Sequence, residues 1–102
     1  MNTYNELKML YGAYLGVSDM DEYKTKEYVL SDLRKLIDEY IERYNMYYHD
    51  EVEEDAKKQT RITNLQDSLI VLKRMDAPLE LSLLIKEKIR ELKDEENRWF
   101  VR

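Results

Sequence analysis

From Leu30 onward, Leu33, Ile37, Tyr40, Tyr44 and Tyr47 follow one another at alternating steps of three and four residues. Only an α-helix brings such positions onto one face, because its turn makes residues three, four and seven apart into neighbours. Val29, Leu36, Ile41 and Tyr48 widen the stripe on both flanks, as in a bundle helix rather than a narrow two-stranded coil. Upstream, Ser18 can cap, and Asp19, Asp21 and Glu22 suit the positive end of a helix dipole. The pattern therefore predicts one helix of about 30 residues over 19–49. At about 1.5 Å per residue that rod would span about 46 Å, against roughly 34 Å for the diameter of a compact domain of this size. An elongated bundle, or a second copy covering part of the seam, would accommodate it.

The flanking segments read as further helices. Thr3-Tyr4-Asn5-Glu6 matches a capping box, and Tyr4, Leu7, Leu10, Tyr11 and Tyr14 recur at helical spacing behind it. Gly16 then supplies the residue that commonly closes a helix in the left-handed conformation. Ile62, Leu65, Leu69 and Leu72 repeat the seam within a segment from Gln59 to Met75, and Asp76-Ala77-Pro78 breaks it, since proline disfavours helical geometry in the residue before it. Leu81, Leu84, Ile85, Ile89 and Leu92 define the last helix, and Trp99-Phe100-Val101 closes the chain in an apolar cluster expected to lock it down. Residues 50–58 are compatible with either a turn or a helix. The expected fold is all-α: a single domain over 1–102, built as an elongated antiparallel bundle of three or four helices.

Composition agrees. Two glycines and one proline in 102 residues leave too little turn material for a sandwich or barrel. The chain has no cysteine, which excludes a disulfide scaffold and a thiolate metal site. It shows neither a secretory pattern nor an apolar run long enough to span a membrane, so it reads as soluble and cytoplasmic. The formal charge is −5, which disfavours direct binding of nucleic acid. Residues 50–58 hold five acids and two bases.

Most of the chemistry lies in EYIERYNMYYHDEVEED, residues 39–55, with four of nine tyrosines, the lone histidine and five consecutive-region acids. Tyr40, Tyr44 and Tyr47 continue the apolar seam and are expected to pack inward with hydroxyls at the rim. Tyr48, on the flank, is the candidate exposed anchor, because tyrosine is common in binding hot spots. Asp50, Glu51, Glu53, Glu54 and Asp55 read structurally as a solvated turn and functionally as a surface for a basic partner. Carboxylates spaced along helices can stand where phosphates stand in a duplex, and charge speeds capture of an opposite surface. By class-level analogy, small acidic helical proteins of viruses and mobile elements act in this way against host or defence enzymes.

Catalysis finds little support. His49 has Glu53 four residues on, but one histidine cannot build a helical di-iron site, and no calcium-loop spacing occurs. No serine sits in a nucleophile elbow, and two isolated glycines cannot form a phosphate cradle. Neither metal nor cofactor is expected. Arg43 and His49, with five residues between them, do resemble the R-x(4–6)-H motif of the HEPN ribonucleases, which are small all-helical dimers. The resemblance implies metal-independent RNA cleavage by a paired Arg43 and His49. Tyr44 departs from the family's polar residue after the arginine. On a straight helix the two side chains are about 240° apart, so they could converge only at a helix end or across a dimer.

The leading expectation is a non-enzymatic inhibitor or adaptor that occupies a basic surface of a protein partner, such as a nucleic-acid-processing enzyme. It would do so through Tyr48, Asp50, Glu51, Glu53, Glu54 and Asp55, as a homodimer. The alternatives are the ribonuclease and a homo-oligomeric structural subunit.

Overall fold

The computed structural model describes residues 2–21 and 24–100, with the side chains of 98–100 left out. Among the described residues five helices, not the expected three or four, follow one another: α1 (Thr3–Ser18), α2 (Lys26–Arg43), α3 (His49–Lys57), α4 (Arg61–Arg74) and α5 (Leu79–Phe100). No strand occurs among the described residues. The principal extents are 49 × 30 × 22 Å. None of the described helices is long and apolar enough to cross a membrane.

The central element is α1. Leu7, Leu10, Tyr11, Gly12, Ala13, Gly16 and Val17 are all buried, covering more of the helix surface than a single stripe, so α1 needs neighbours on several sides. It packs on α4, α2 and α3, and its most extensive contact is with α4; α5 packs on α4. Its start is set by Asn2 rather than by the Thr3 box: the Asn2 side-chain oxygen accepts from the Tyr4 and Asn5 amides at 3.0 and 3.3 Å.

Gly16 does not close the helix. No glycine has positive φ, and α1 continues to Ser18. Gly12 and Gly16, one turn apart, instead lie where α4 crosses. A methyl group at Gly16 would come within 2.5 Å of the Asn64 carbonyl oxygen. The Ser68 hydroxyl lies 3.0 Å from the carbonyl oxygens of both Ala13 and Asn64, so a polar group sits between the helices with its hydrogen bonding satisfied.

Of the predicted helix over 19–49 only α2, Lys26–Arg43, forms: the described residues 19–21, 24 and 25 before it are not helical, and the turn after it leads to α3, whose first residue is His49. After Ser18 the chain leaves α1 through Asp19, whose carboxylate meets the Arg61 Nε at 2.6 Å. The buried Lys26 ammonium donates to the Met20 carbonyl at 2.5 Å. The 18-residue α2 then ends at Arg43, because Asn45 adopts φ 50°. The Met46 amide donates to the Ile41 carbonyl at 3.0 Å and the Asn45 amide to the Glu42 carbonyl at 3.3 Å. These are the paired bonds of a Schellman motif, which satisfies the helix's last carbonyls while turning the chain aside. Met46, the residue just beyond, is buried.

The same device ends α4. Asp76 has φ 56°, the Ala77 amide donates to Leu72 at 3.1 Å and the Asp76 amide to Lys73 at 3.3 Å. Thr60 caps the other end of α4, accepting from the Thr63 amide at 3.1 Å.

Most predicted inward positions are inward: Leu7, Leu10, Tyr11, Leu33, Ile37, Leu65, Leu72, Leu81, Ile85 and Ile89 belong to one buried cluster. Leu84 is exposed instead, along with Leu79, Leu83 and Ile70. The Trp99-Phe100 lock lies outside the residues whose side chains are described.

Candidate interaction surface

Residues 50–57 form helix, with Lys58 at its C-cap, rather than an open turn. Nine residues are too few to hold a helix in water unaided, and α3 is held by Val52 and Ala56, one turn apart and fully buried toward the α1 side. That pair fixes the orientation of the remaining side chains. Asp50, Glu51 and Glu54 are exposed, whereas Glu53 and Asp55, flanking the buried stripe, are half-buried. The five predicted acids are thus divided, three outward and two on the shoulders.

Their local pairing is light. Lys57 reaches Glu54 at 3.4 Å and Glu53 at 3.9 Å, and the His49 Nδ1 lies 3.2 Å from an Asp50 carboxylate oxygen. The charge also reaches the core. Burial pushes the Tyr11 hydroxyl above its ordinary pKa, and the carboxylates of Glu53, Asp50 and Asp38 push the same way.

The exposed aromatic residues here are different from the one expected. Tyr48 stands at the N-cap of α3, half-buried and packed against the core cluster. Tyr47 is 85% exposed, and Tyr44 is 44% exposed. Both were expected inside, on the assumption that the seam ran unbroken; the turn at Asn45 swings them out. Tyr47 rests edge-on against Tyr48, with ring centroids 5.5 Å apart, so the exposed ring is braced by a partly buried one. Tyr44 is similarly braced by Tyr40 at 4.6 Å. The sequence signal was Asn45 itself, since asparagine tolerates the left-handed region better than most residues.

The Arg43 and His49 of the ribonuclease-like motif are the last residue of α2 and the first of α3. The chain turn between them removes the straight-helix geometry that would separate them.

A second feature was not foreseen. Because α2 and α4 both pack mainly on α1 and only marginally on each other, a cleft of about 270 Å³ opens between them. It is lined by Glu6 and Leu10 of α1, Leu36, Glu39, Tyr40 and Arg43 of α2, and Val71, Arg74 and Met75 in and after α4. Among the described residues no group of histidine, aspartate and glutamate side chains could hold a metal ion. No family model, curated protein or solved structure matches the chain.

Proposed function

We propose that this single helical domain acts by binding, as an inhibitor or adaptor that lays α3 and the preceding turn against a basic protein surface, such as that of a nucleic-acid-processing enzyme. The observation that carries the reading is the 85% exposure of Tyr47 immediately before the outward acids Asp50, Glu51 and Glu54. A braced aromatic ring beside exposed, lightly paired carboxylates supplies both parts of such a contact: a desolvated anchor and a charged rim that guides approach. Tyr47 with Tyr44 replaces Tyr48 as the anchor; Tyr48 supports them from below.

The test is co-purification from the native host, comparing wild type with the Glu51→Gln, Glu53→Gln, Glu54→Gln triple variant and with Tyr47→Ala. The reading expects a basic partner whose affinity falls steeply with added salt, because exposed charges beyond about 10 Å are screened at 0.1 M. It expects both variants to lose that partner. Affinity that is indifferent to salt, or that survives the triple substitution, would remove it.

The position of Arg43 at the end of α2 and His49 at the start of α3 supports a second reading, a metal-independent ribonuclease completed across a homodimer. Incubating the protein with RNA decides between them: cleavage abolished by Arg43→Ala and by His49→Ala would replace the binding reading with the enzymatic one. Light scattering checks the homodimer, and with it the reading as a self-assembling structural subunit, both of which require more than a monomer at high concentration.

A further inference from the structure

The geometry points to the α2–α4 cleft as a binding site for a small amphipathic monoanion, with an apolar body held on the cleft floor and its carboxylate held by Arg43. The floor is apolar: Leu10 and Val71 belong to the buried core, and Leu36, Tyr40 and Met75 are half-buried around them. Its volume, about 270 Å³, is close to the low end of small-molecule sites, which combine an apolar lining with a few placed polar groups.

Those polar groups are unequally occupied. Arg74 is ion-paired to Glu6 across the cleft, so neither is free to recognise a ligand. Arg43, the last residue of α2, lines the same cleft and makes no ion pair or hydrogen bond with any described residue. Tyr40 stands one turn before it on the same wall, and its hydroxyl is buried with no hydrogen-bond partner. A buried hydroxyl without a partner is costly and calls for an explanation. A ligand acceptor in the cleft would supply one on a small rotation of the ring, the guanidinium and the phenol O–H then both donating to the same carboxylate. Glu39 also lines the cleft, four residues before Arg43, and it selects against a second negative charge.

The experiment uses octanoate as probe and 1-octanol as its uncharged counterpart, followed by methyl NMR of the full chain. Octanoate is expected to bind with one-to-one stoichiometry, shifting methyls of Leu10, Leu36, Val71 and Met75, and to bind about tenfold more tightly than octanol, the usual scale for a charge-assisted contact. Arg43→Gln should bring octanoate down to the octanol level, and Glu39→Gln should strengthen octanoate severalfold. Tyr40→Phe should weaken octanoate while leaving octanol unchanged. Glu39 and Arg43 are exposed, so their substitution should leave the fold intact. The assignment is overturned if octanoate shifts no cleft methyl at millimolar concentration, if octanol binds as well, if Arg43→Gln changes nothing, or if the shifts fall on methyls outside the cleft.

Discussion

Where α1 crosses α4, Gly12 lies against Asp67 and Gly16 against Asn64 and Ser68, all buried or half-buried, whereas on α3 Asp50, Glu51 and Glu54 stand apart in solvent. At the crossing, polar atoms are usable only because glycine leaves room for them and each finds a partner. On α3, water solvates the charges and no partner is needed. The difference predicts steep energetic consequences at the crossing and shallow ones on α3, although the two regions look equally polar in the sequence.

The largest effect is expected at Gly16. In an exposed helix interior, Gly→Ala gains about 1 kcal/mol from propensity. Here the new methyl would meet the Asn64 backbone carbonyl, which cannot rotate away as a side chain could. Gly16→Val should therefore cost about 3 kcal/mol and lower Tm by roughly 10–20 °C in thermal unfolding. Gly16→Ala should also destabilise, by a smaller amount. A rise in Tm for the alanine variant would break the comparison, since it would mean that the helices are not held at that spacing.

Much of the fold was legible because helical periodicity reports burial directly. Leu33, Ile37, Leu65, Leu72, Ile85 and Ile89 repeat at helical spacing and are buried. What escaped was backbone conformation. Pro78 announced one break through its geometry, but the other rests on Asn45, which can also sit inside a helix. Gly16 was legible as a residue needing freedom, yet the same side-chain absence serves a helix end or a close crossing, and local sequence does not distinguish them. The acids at 50, 51 and 54 are outside as expected, while Tyr47 rather than Tyr48 is the exposed ring, because the chain turns at Asn45 between α2 and α3 instead of continuing the helix. The cleft could not be read at all, since Arg43 and Arg74 come from helices brought together only by their shared packing on α1.

The turn offers the next test. Asn45 holds φ 50°, a region that costs an ordinary L-residue about 1–2 kcal/mol and asparagine less. Asn45→Ala should cost about 1 kcal/mol in chemical denaturation, and Asn45→Gly should be neutral or better. If alanine were harmless, α2 could extend through the turn and Tyr44 and Tyr47 would not be fixed outward.

Asp67 carries the crossing's one penalised charge. Burial raises its carboxyl pKa above 3.8, and the hydrogen bond from Gln59 and the charge of Lys8 offset this only in part. The Gln59 amide donates to it at 3.1 Å. A pKa raised on folding means that the folded state binds the proton more tightly than the unfolded state. The group's contribution to stability is therefore fully present below about 3.8 and is lost as pH climbs through the raised value. At pH 7, Asp67→Asn should raise Tm slightly, since it removes the penalised charge and keeps an acceptor for Gln59. The Tm difference between variant and wild type should shrink as pH falls toward 4. A variant less stable at pH 7 would mean that the carboxylate is favourably placed after all.

The smallest effect belongs to α3, where several weak terms oppose one another. Asp50 and Glu51 lie in its first turn, where the helix dipole favours an acid by about 0.3–1 kcal/mol. Against this, Asp50 with Glu54 and Glu51 with Asp55 are like charges one turn apart, each pair costing about 0.2–0.5 kcal/mol. The Lys57–Glu54 pair is largely exposed, and such pairs contribute about 0–1 kcal/mol. Replacing Glu51 and Glu54 with glutamine together should thus leave stability within about 0.5 kcal/mol of wild type in chemical denaturation. A loss above 1 kcal/mol would show that the acids hold α3 in place. If stability holds, the fold does not account for these carboxylates, and loss of partner binding in the same protein could be assigned to the surface itself.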